Sequence, residues 1–280
     1  MKIAVSGATG FIGRHVLAEL ASRSLETVAL VRPSSAGSQA YPASRVVAFD
    51  LHDAPSDAFQ RLGCPDALIH LAWSGLPNYR SLHHFEHELP AQYRFLRGLI
   101  DAGLQTLVVA GTCFEYGMQS GPLSEQVTPQ PDNPYGYAKN ALRCQLEYLQ
   151  QAQPFNLAWA RLFYLYGDGQ AESSLLPQLR SAVERGERFF NMSGGEQLRD
   201  YLPVSTVASH LASLALLGRD LGVVNVCSGQ PVSVRGLVED WIREHDWPIE
   251  PLLSHYPYPD YEPMAFWGSR DKLDGILKQT

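Results

Sequence analysis

The chain has 280 residues, 45% hydrophobic and 18% charged, which supports a sizeable buried core and excludes the disordered and fibrous classes. Its net charge of -7, spread without blocks of like sign, argues against a general nucleic-acid surface, so an anionic ligand must be met by local groups. Cys64, Cys113, Cys144 and Cys227 stand far apart without metal-type spacing, which reads as reduced thiols and no zinc site. The first apolar run is too short for a signal peptide, and no membrane-length apolar segment follows, so a soluble cytoplasmic protein is expected.

Short β-branched or apolar runs alternate with longer amphipathic stretches. Strand Lys2–Ser6 is followed by helix Phe11–Ala21, then by strands Thr27–Val31, Arg45–Phe49 and Ala67–Leu71. Helix Leu82–Ala102, strand Thr106–Ala110, helix Pro134–Gln151 and strand Phe155–Phe163 complete the repeat. This βα rhythm predicts an α/β fold, a Rossmann-type doubly wound parallel sheet with its ligand crevice at the strand carboxyl ends. Beyond residue 165 the rhythm loosens. A helix is expected near Ser173–Arg185, another near Ser205–Leu217, a strand near Val223–Val226 and a Pro- and Tyr-rich stretch over Pro248–Pro263. The expected division is a dinucleotide-binding domain over 1–165, joined by 204–228, and a small irregular substrate-binding cap from 166–203 and 229–280.

Gly7-Ala8-Thr9-Gly10-Phe11-Ile12-Gly13 lies between the first strand and the first helix, the context in which a glycine motif cradles a dinucleotide. The glycines permit a tight turn and close backbone approach, and the helix N-terminus favours a pyrophosphate. The second strand ends in Arg32-Pro33-Ser34-Ser35 without a carboxylate. A guanidinium there suits the 2′-phosphate of NADP(H), which is favoured over NAD(H), although Arg32 stacked on adenine is the plainer reading. Asp50-Leu51, after the third strand, falls at the adenine edge, where an Asp also serves as a turn cap.

Tyr135 and Lys139 are four residues apart at the start of a helix, which puts a phenol and an ammonium on one face. A neighbouring positive charge favours phenolate and turns tyrosine into a usable acid or base. The same spacing also occurs on ordinary solvated helix faces. Thr112, just past the fifth strand, brings a hydroxyl to the same sheet edge, and two donors on one carbonyl oxygen stabilise a developing alkoxide.

The glycine loop, His70-Leu71-Ala72, Gly111-Thr112-Cys113-Phe114-Glu115-Tyr116-Gly117, Pro134-Tyr135-Gly136-Tyr137-Ala138-Lys139, Arg161-Leu162-Phe163 with Tyr166-Gly167, and Arg199-Asp200-Tyr201 occur in this order. With them the chain resembles the extended short-chain dehydrogenase/reductase family over nearly its full length. The resemblance implies Thr112 as partner of the reacting oxygen, Tyr135 as proton donor or acceptor, and Lys139 as the group that holds the nicotinamide ribose and lowers the Tyr135 pKa. It also implies cofactor contacts from Gly7, Thr9, Gly10, Phe11, Ile12, Gly13, Leu71, Ala72 and Phe163. Arg199 would grip the diphosphate of a nucleotide sugar, while Tyr164 and Glu88 stand where many relatives carry asparagine. The loop with Trp73, Asn78 and Tyr79 would line the sugar pocket or pack on the surface. Relatives often pair as homodimers through the helices after the fourth strand and around Tyr135.

Relatives that dehydrate sugars carry Asp-Glu after the threonine, and Cys113-Phe114 occupies those positions here. Ketone reduction or 4-epimerisation is left. Arg32 leans toward reduction, and the run from His70 to Tyr79 resembles reductases of dTDP-linked 4-keto-6-deoxyhexoses that give dTDP-fucose or dTDP-6-deoxytalose. A non-catalytic NADP(H) sensor on the same fold is the reading from another class. His83, His84 and His87 invite a metal, but His-Glu-x-x-His order is missing and the chemistry needs none.

Overall fold

The computed structural model describes residues 1–37, 41–258 and 262–279. Pro259, Asp260 and Tyr261 of the Pro- and Tyr-rich stretch lie outside the described residues. The central sheet has seven parallel strands: β1 (Lys2–Ser6), β2 (Glu26–Val31), β3 (Arg45–Ala48), β4 (Ala67–His70), β5 (Thr106–Thr112), β6 (Asn156–Leu162) and β7 (Gly222–Val226). Their spatial order is β7-β6-β5-β4-β1-β2-β3, so the order reverses beside β1 and opens a crevice between the ends of β1 and β4.

Alternation along each strand feeds two cores. Ile3, Val5, Ile69 and Val108 face helices Phe11–Ser22 and Val204–Leu216 through Val16, Leu17, Leu20, Val207 and Leu211. Ala4, Leu68, Leu107, Val109 and Trp159 face the other way, onto Phe95, Leu96, Leu99, Leu142 and Leu146 from helices Leu89–Asp101 and Pro134–Ala152. The stretch expected as one helix over Leu82–Ala102 begins instead as a π turn, His84–Glu88, before the α-helix at Leu89. Pro90 has no N–H to give the Glu86 carbonyl, which accords with a wider hydrogen-bonded ring just before it.

Beyond β6 the chain builds small sheets. Tyr164–Tyr166, Leu198–Pro203 and Pro231–Ser233 form one of three strands. Leu176, Leu179, Phe190, Val238 and Trp241 form an apolar cluster of their own beside it. The C-terminal helix Asp271–Leu277 departs from the expected division, because Leu273 and Ile276 join the core of the central sheet rather than that cluster. No helix among the described residues is long and apolar enough to cross a membrane.

Candidate active site

The glycine turn fits the end of β4 closely. Gly7 has φ +68°, and a Cβ on it would lie 2.7 Å from the Ala72 backbone nitrogen. A Cβ on Gly13 would lie 2.1 Å from the Gly7 carbonyl oxygen, so this glycine serves the contact of helix with loop and does not line the cleft. Gly7, Thr9, Gly10, Arg32, Asp50, Leu51, Leu71 and Ala72 line a cleft of about 370 Å³ at the carboxyl ends of β1, β2 and β4. Phe11 departs from expectation: its ring turns to His15, with centroids 6.0 Å apart, and lines neither cleft. Asp50 lines the cleft and also caps the turn after β3 by accepting from the His52 backbone N–H at 3.0 Å. That bond is the main cause of its lowered pKa, with His52 and Arg32 adding to it against burial. A nicotinamide dinucleotide fits this cleft, since the turn leaves no room for a Cβ, the helix N-terminus faces it and Arg32 stands at the end of β2.

The sequence pattern did not expose a buried polar chain at the back of the cleft. Ser6 meets His70 Nδ1 at 2.8 Å, His70 Nε2 meets Gln92 Oε1 at 2.8 Å, and Gln92 donates to Glu88 Oε2 at 2.7 Å. The Gln92 amide fixes the direction, so His70 donates from Nε2 and accepts at Nδ1. Burial holds His70 neutral, with its pKa pushed down to about 3. Glu88 also accepts from Ser74 Oγ at 2.6 Å and meets His52 Nε2 at 2.7 Å. Burial alone would raise its carboxyl, but the bonds from Ser74, Gln92 and His52 outweigh it and hold the pKa at about 2. Glu88 was legible as a replacement for asparagine, and Gln92 stands four residues on, but Ser74 and His52 come from other segments that sequence spacing does not bring to it.

A second cleft of about 830 Å³ adjoins the first and contains Thr112, Tyr135 and Lys139. Thr112 ends β5, and its Oγ1 accepts from Phe114 N–H at 3.3 Å. Glu115, fully buried, accepts from Thr112 N–H at 2.9 Å, Trp159 Nε1 at 2.8 Å and Arg161 Nε at 2.8 Å, which fixes the threonine backbone. Asn133 caps the helix that carries Tyr135 by accepting from Gly136 N–H at 2.9 Å. Tyr135 and Thr112 line this cleft together, and the threonine hydroxyl works against the rise of the Tyr135 pKa. Trp73, Asn78, Tyr79, Phe163 and Tyr164 line this cleft with them, as does Ile12 from the glycine loop.

Two expectations change. The expected lowering of the Tyr135 pKa by Lys139 does not set its direction: burial, reinforced by Tyr79, Cys113 and Glu115, raises it well above the usual phenol value. Lys139 Nζ instead donates to the Ala110 carbonyl at 2.8 Å and lies 5.9 Å from the phenol ring centroid. Burial also brings the Lys139 pKa down to about 7, against the opposing fields of Glu115 and Glu88. Arg199, expected to grip a diphosphate, is 2% exposed, pairs with Glu262 at 3.0 Å and donates to the Leu198 carbonyl at 2.9 Å. It does not line the cleft, whereas Glu262 does, bonded to the Tyr164 hydroxyl. Nothing in the spacing marks Glu262, which reaches Arg199 from 63 residues away.

A glycine-turn cleft opening into a second cleft with a Thr-Tyr-Lys set defines a nicotinamide-dependent oxidoreductase on a Rossmann fold. The model of the NAD dependent epimerase/dehydratase family matches residues 3–227, and the chain belongs to that family. It is 30% identical over 275 residues to dTDP-6-deoxy-L-talose 4-dehydrogenase (NAD(+)) of Aggregatibacter actinomycetemcomitans, covering 96% of this chain and 100% of that one. GDP-6-deoxy-D-mannose reductase of Pseudomonas aeruginosa is 27% identical, over 85% of this chain and 78% of the relative. Among solved structures, MoeE5 in complex with UDP-glucuronic acid and NAD superposes with a TM-score of 0.81 at 27% identity, covering 99% of this chain and 93% of that one.

Proposed function

We propose that the protein reduces the C4 ketone of a nucleotide-linked 4-keto-6-deoxyhexose with NADPH, giving a dTDP-6-deoxyhexose such as dTDP-fucose or dTDP-6-deoxytalose. The observation that carries this reading is that Thr112, Tyr135 and Lys139 line one cleft, and that this cleft shares Leu71, Trp73 and Leu76 with the glycine-turn cleft. The cofactor supplies hydride when bound, and Gly7, Gly10, Arg32 and Lys139 are the residues that would hold it. Thr112 and Tyr135 aim their hydroxyls at one carbonyl oxygen, and Tyr135 gives it the proton. The raised Tyr135 pKa keeps that proton on the phenol at neutral pH until an alkoxide forms, which is the state a reductase needs. Lys139 adds positive charge beside the developing oxyanion.

Relatives support the reading. A 4-dehydrogenase acting on dTDP-6-deoxy-L-talose is named for oxidation of a C4 hydroxyl, the reverse of the proposed step. The NAD(+) in its name favours the other cofactor, whereas Arg32 at the cleft favours the phosphorylated one. Epimerisation is the second reading, since UDP-glucose 4-epimerase of Azospirillum brasilense is 27% identical over 100% of this chain. The test is incubation of the protein with NADPH and dTDP-4-keto-6-deoxyglucose, followed by NMR of the product. One NADPH consumed per 6-deoxyhexose formed supports the proposal; no NADPH consumed with the ketone, together with C4 inversion of UDP-glucose in a parallel incubation without net change in the cofactor, overturns it in favour of epimerisation.

A further inference from the structure

Lys139 is an ammonium site with few polar partners. It is 2% exposed, and the Ala110 carbonyl is its hydrogen-bond acceptor in β5. An indole borders it as well: Nζ stands 3.9 Å from the centroid of Trp73. Trp73 belongs to the loop after β4 and lines both clefts, so the ammonium is held at their junction.

The indole is itself fixed. Its Nε1 donates to His84 Nδ1 at 3.1 Å, and the two ring planes lie 27° from parallel with centroids 6.4 Å apart. His84 Nε2 in turn donates to the Asn78 carbonyl at 2.8 Å, so the imidazole has its proton on Nε2 and a lone pair toward Trp73. Burial lowers the His84 pKa, in keeping with that neutral form. The His84 ring also stands edge-on to Tyr135, with centroids 5.2 Å apart.

We propose that Trp73, clamped by His84, is a positioning residue whose ring face keeps Lys139 charged and places it between the dinucleotide and substrate clefts. The role assigned to Lys139 rests on the function proposed above; the placement of the cation rests on geometry. A ring face attracts a desolvated ammonium through its quadrupole and offers no proton acceptor, so it stabilises the charge without competing for the proton. The other charged or titratable groups around Lys139 are Glu115 after β5, Glu88 in the π turn, His70 in β4, His84 and Tyr135. Glu115 is already paired with Arg161, and Glu88 with Ser74, Gln92 and His52. The two histidines are neutral, so the indole is the nearest stabilising group besides the Ala110 carbonyl.

The chain has four lysines, Lys2, Lys139, Lys272 and Lys278, so carbon-13 lysine labelling of the full protein gives a spectrum in which Lys139 can be assigned from a Lys139→Met variant. In the wild type its ε-carbon should titrate near pH 7. Trp73→Leu should move that midpoint down by about one pH unit, and Trp73→Phe, which keeps a ring face, by less. If Trp73→Leu does not fold, His84→Leu, which frees the indole, should shift it in the same direction. The alkaline limb of kcat/KM should follow the same order. A Lys139 midpoint that stays put in Trp73→Leu or His84→Leu, whatever happens to kcat, overturns the proposal. The titration needs no substrate, so failure of the nucleotide-sugar reading would appear separately, as an intact titration with no turnover.

Discussion

Removing the Glu115 carboxylate should damage both stability and the placement of Thr112. Glu115→Ala strips the acceptor from Arg161 Nε, Trp159 Nε1 and Thr112 N–H, all within 2.9 Å of it. Arg161 and Glu115 are 1% and 0% exposed, and Arg161 Nη1 already makes no hydrogen bond among the described residues, so the guanidinium would be left buried and unpaired. Breaking such a pair from one side costs about 3–5 kcal/mol. Against a typical domain stability of about 5–15 kcal/mol, this is a large fraction of the whole. Urea unfolding should show the midpoint fall by roughly 1 M or more. The double variant Glu115→Leu with Arg161→Met should recover most of the loss, because an apolar pair of similar volume leaves no buried charge. A loss below about 1 kcal/mol in Glu115→Ala, or a double variant no better than the single, would refute this account of the strand end.

Three further outcomes are expected. Arg32→Ala should shrink the ratio of NADPH to NADH affinity measured by fluorescence titration; an unchanged ratio would mean that Arg32 meets no phosphate. For His70, the folded pKa of about 3 lies below the unfolded value of about 6.5, so its contribution is complete above pH 6.5 and is lost as pH falls from there toward 3. Urea unfolding at pH 7.5 and pH 5 should therefore show a smaller acid loss in His70→Gln than in the wild type, and equal losses would contradict the assignment. Arg199→Met should lower Tm by leaving Glu262 unpaired while keeping the Kd for dTDP within about threefold, and a loss of tenfold or more would show that Arg199 reaches the nucleotide.

What was readable in the sequence is what local pattern dictates. Ile3 and Val5 against Ala4, and the glycine spacing from Gly7 to Gly13, announce a strand, a turn and a helix because period and backbone freedom are local properties. Thr112, Tyr135 and Lys139 meet in one cleft because all three sit at the same sheet edge. The rest depends on long-range pairing. The strand Leu198–Pro203 pairs with Tyr164–Tyr166 and Pro231–Ser233, and the clue is a run of three to six residues in each. Arg199 looked like an anion site since a guanidinium in an acidic chain invites one, yet its partner comes from a distant segment with no spacing signal. The sign of the Tyr135 shift was likewise hidden. Charge proximity was read from a helix face, while burial, which decides the outcome, is a property of the whole fold.

The most direct test of the account is Tyr135→Phe, assayed for NADPH-dependent ketone reduction beside cofactor binding. Loss of the phenol proton should lower kcat by about 10²- to 10⁴-fold while the Kd for NADPH stays nearly unchanged. Full reduction by the phenylalanine variant would contradict proton delivery by Tyr135.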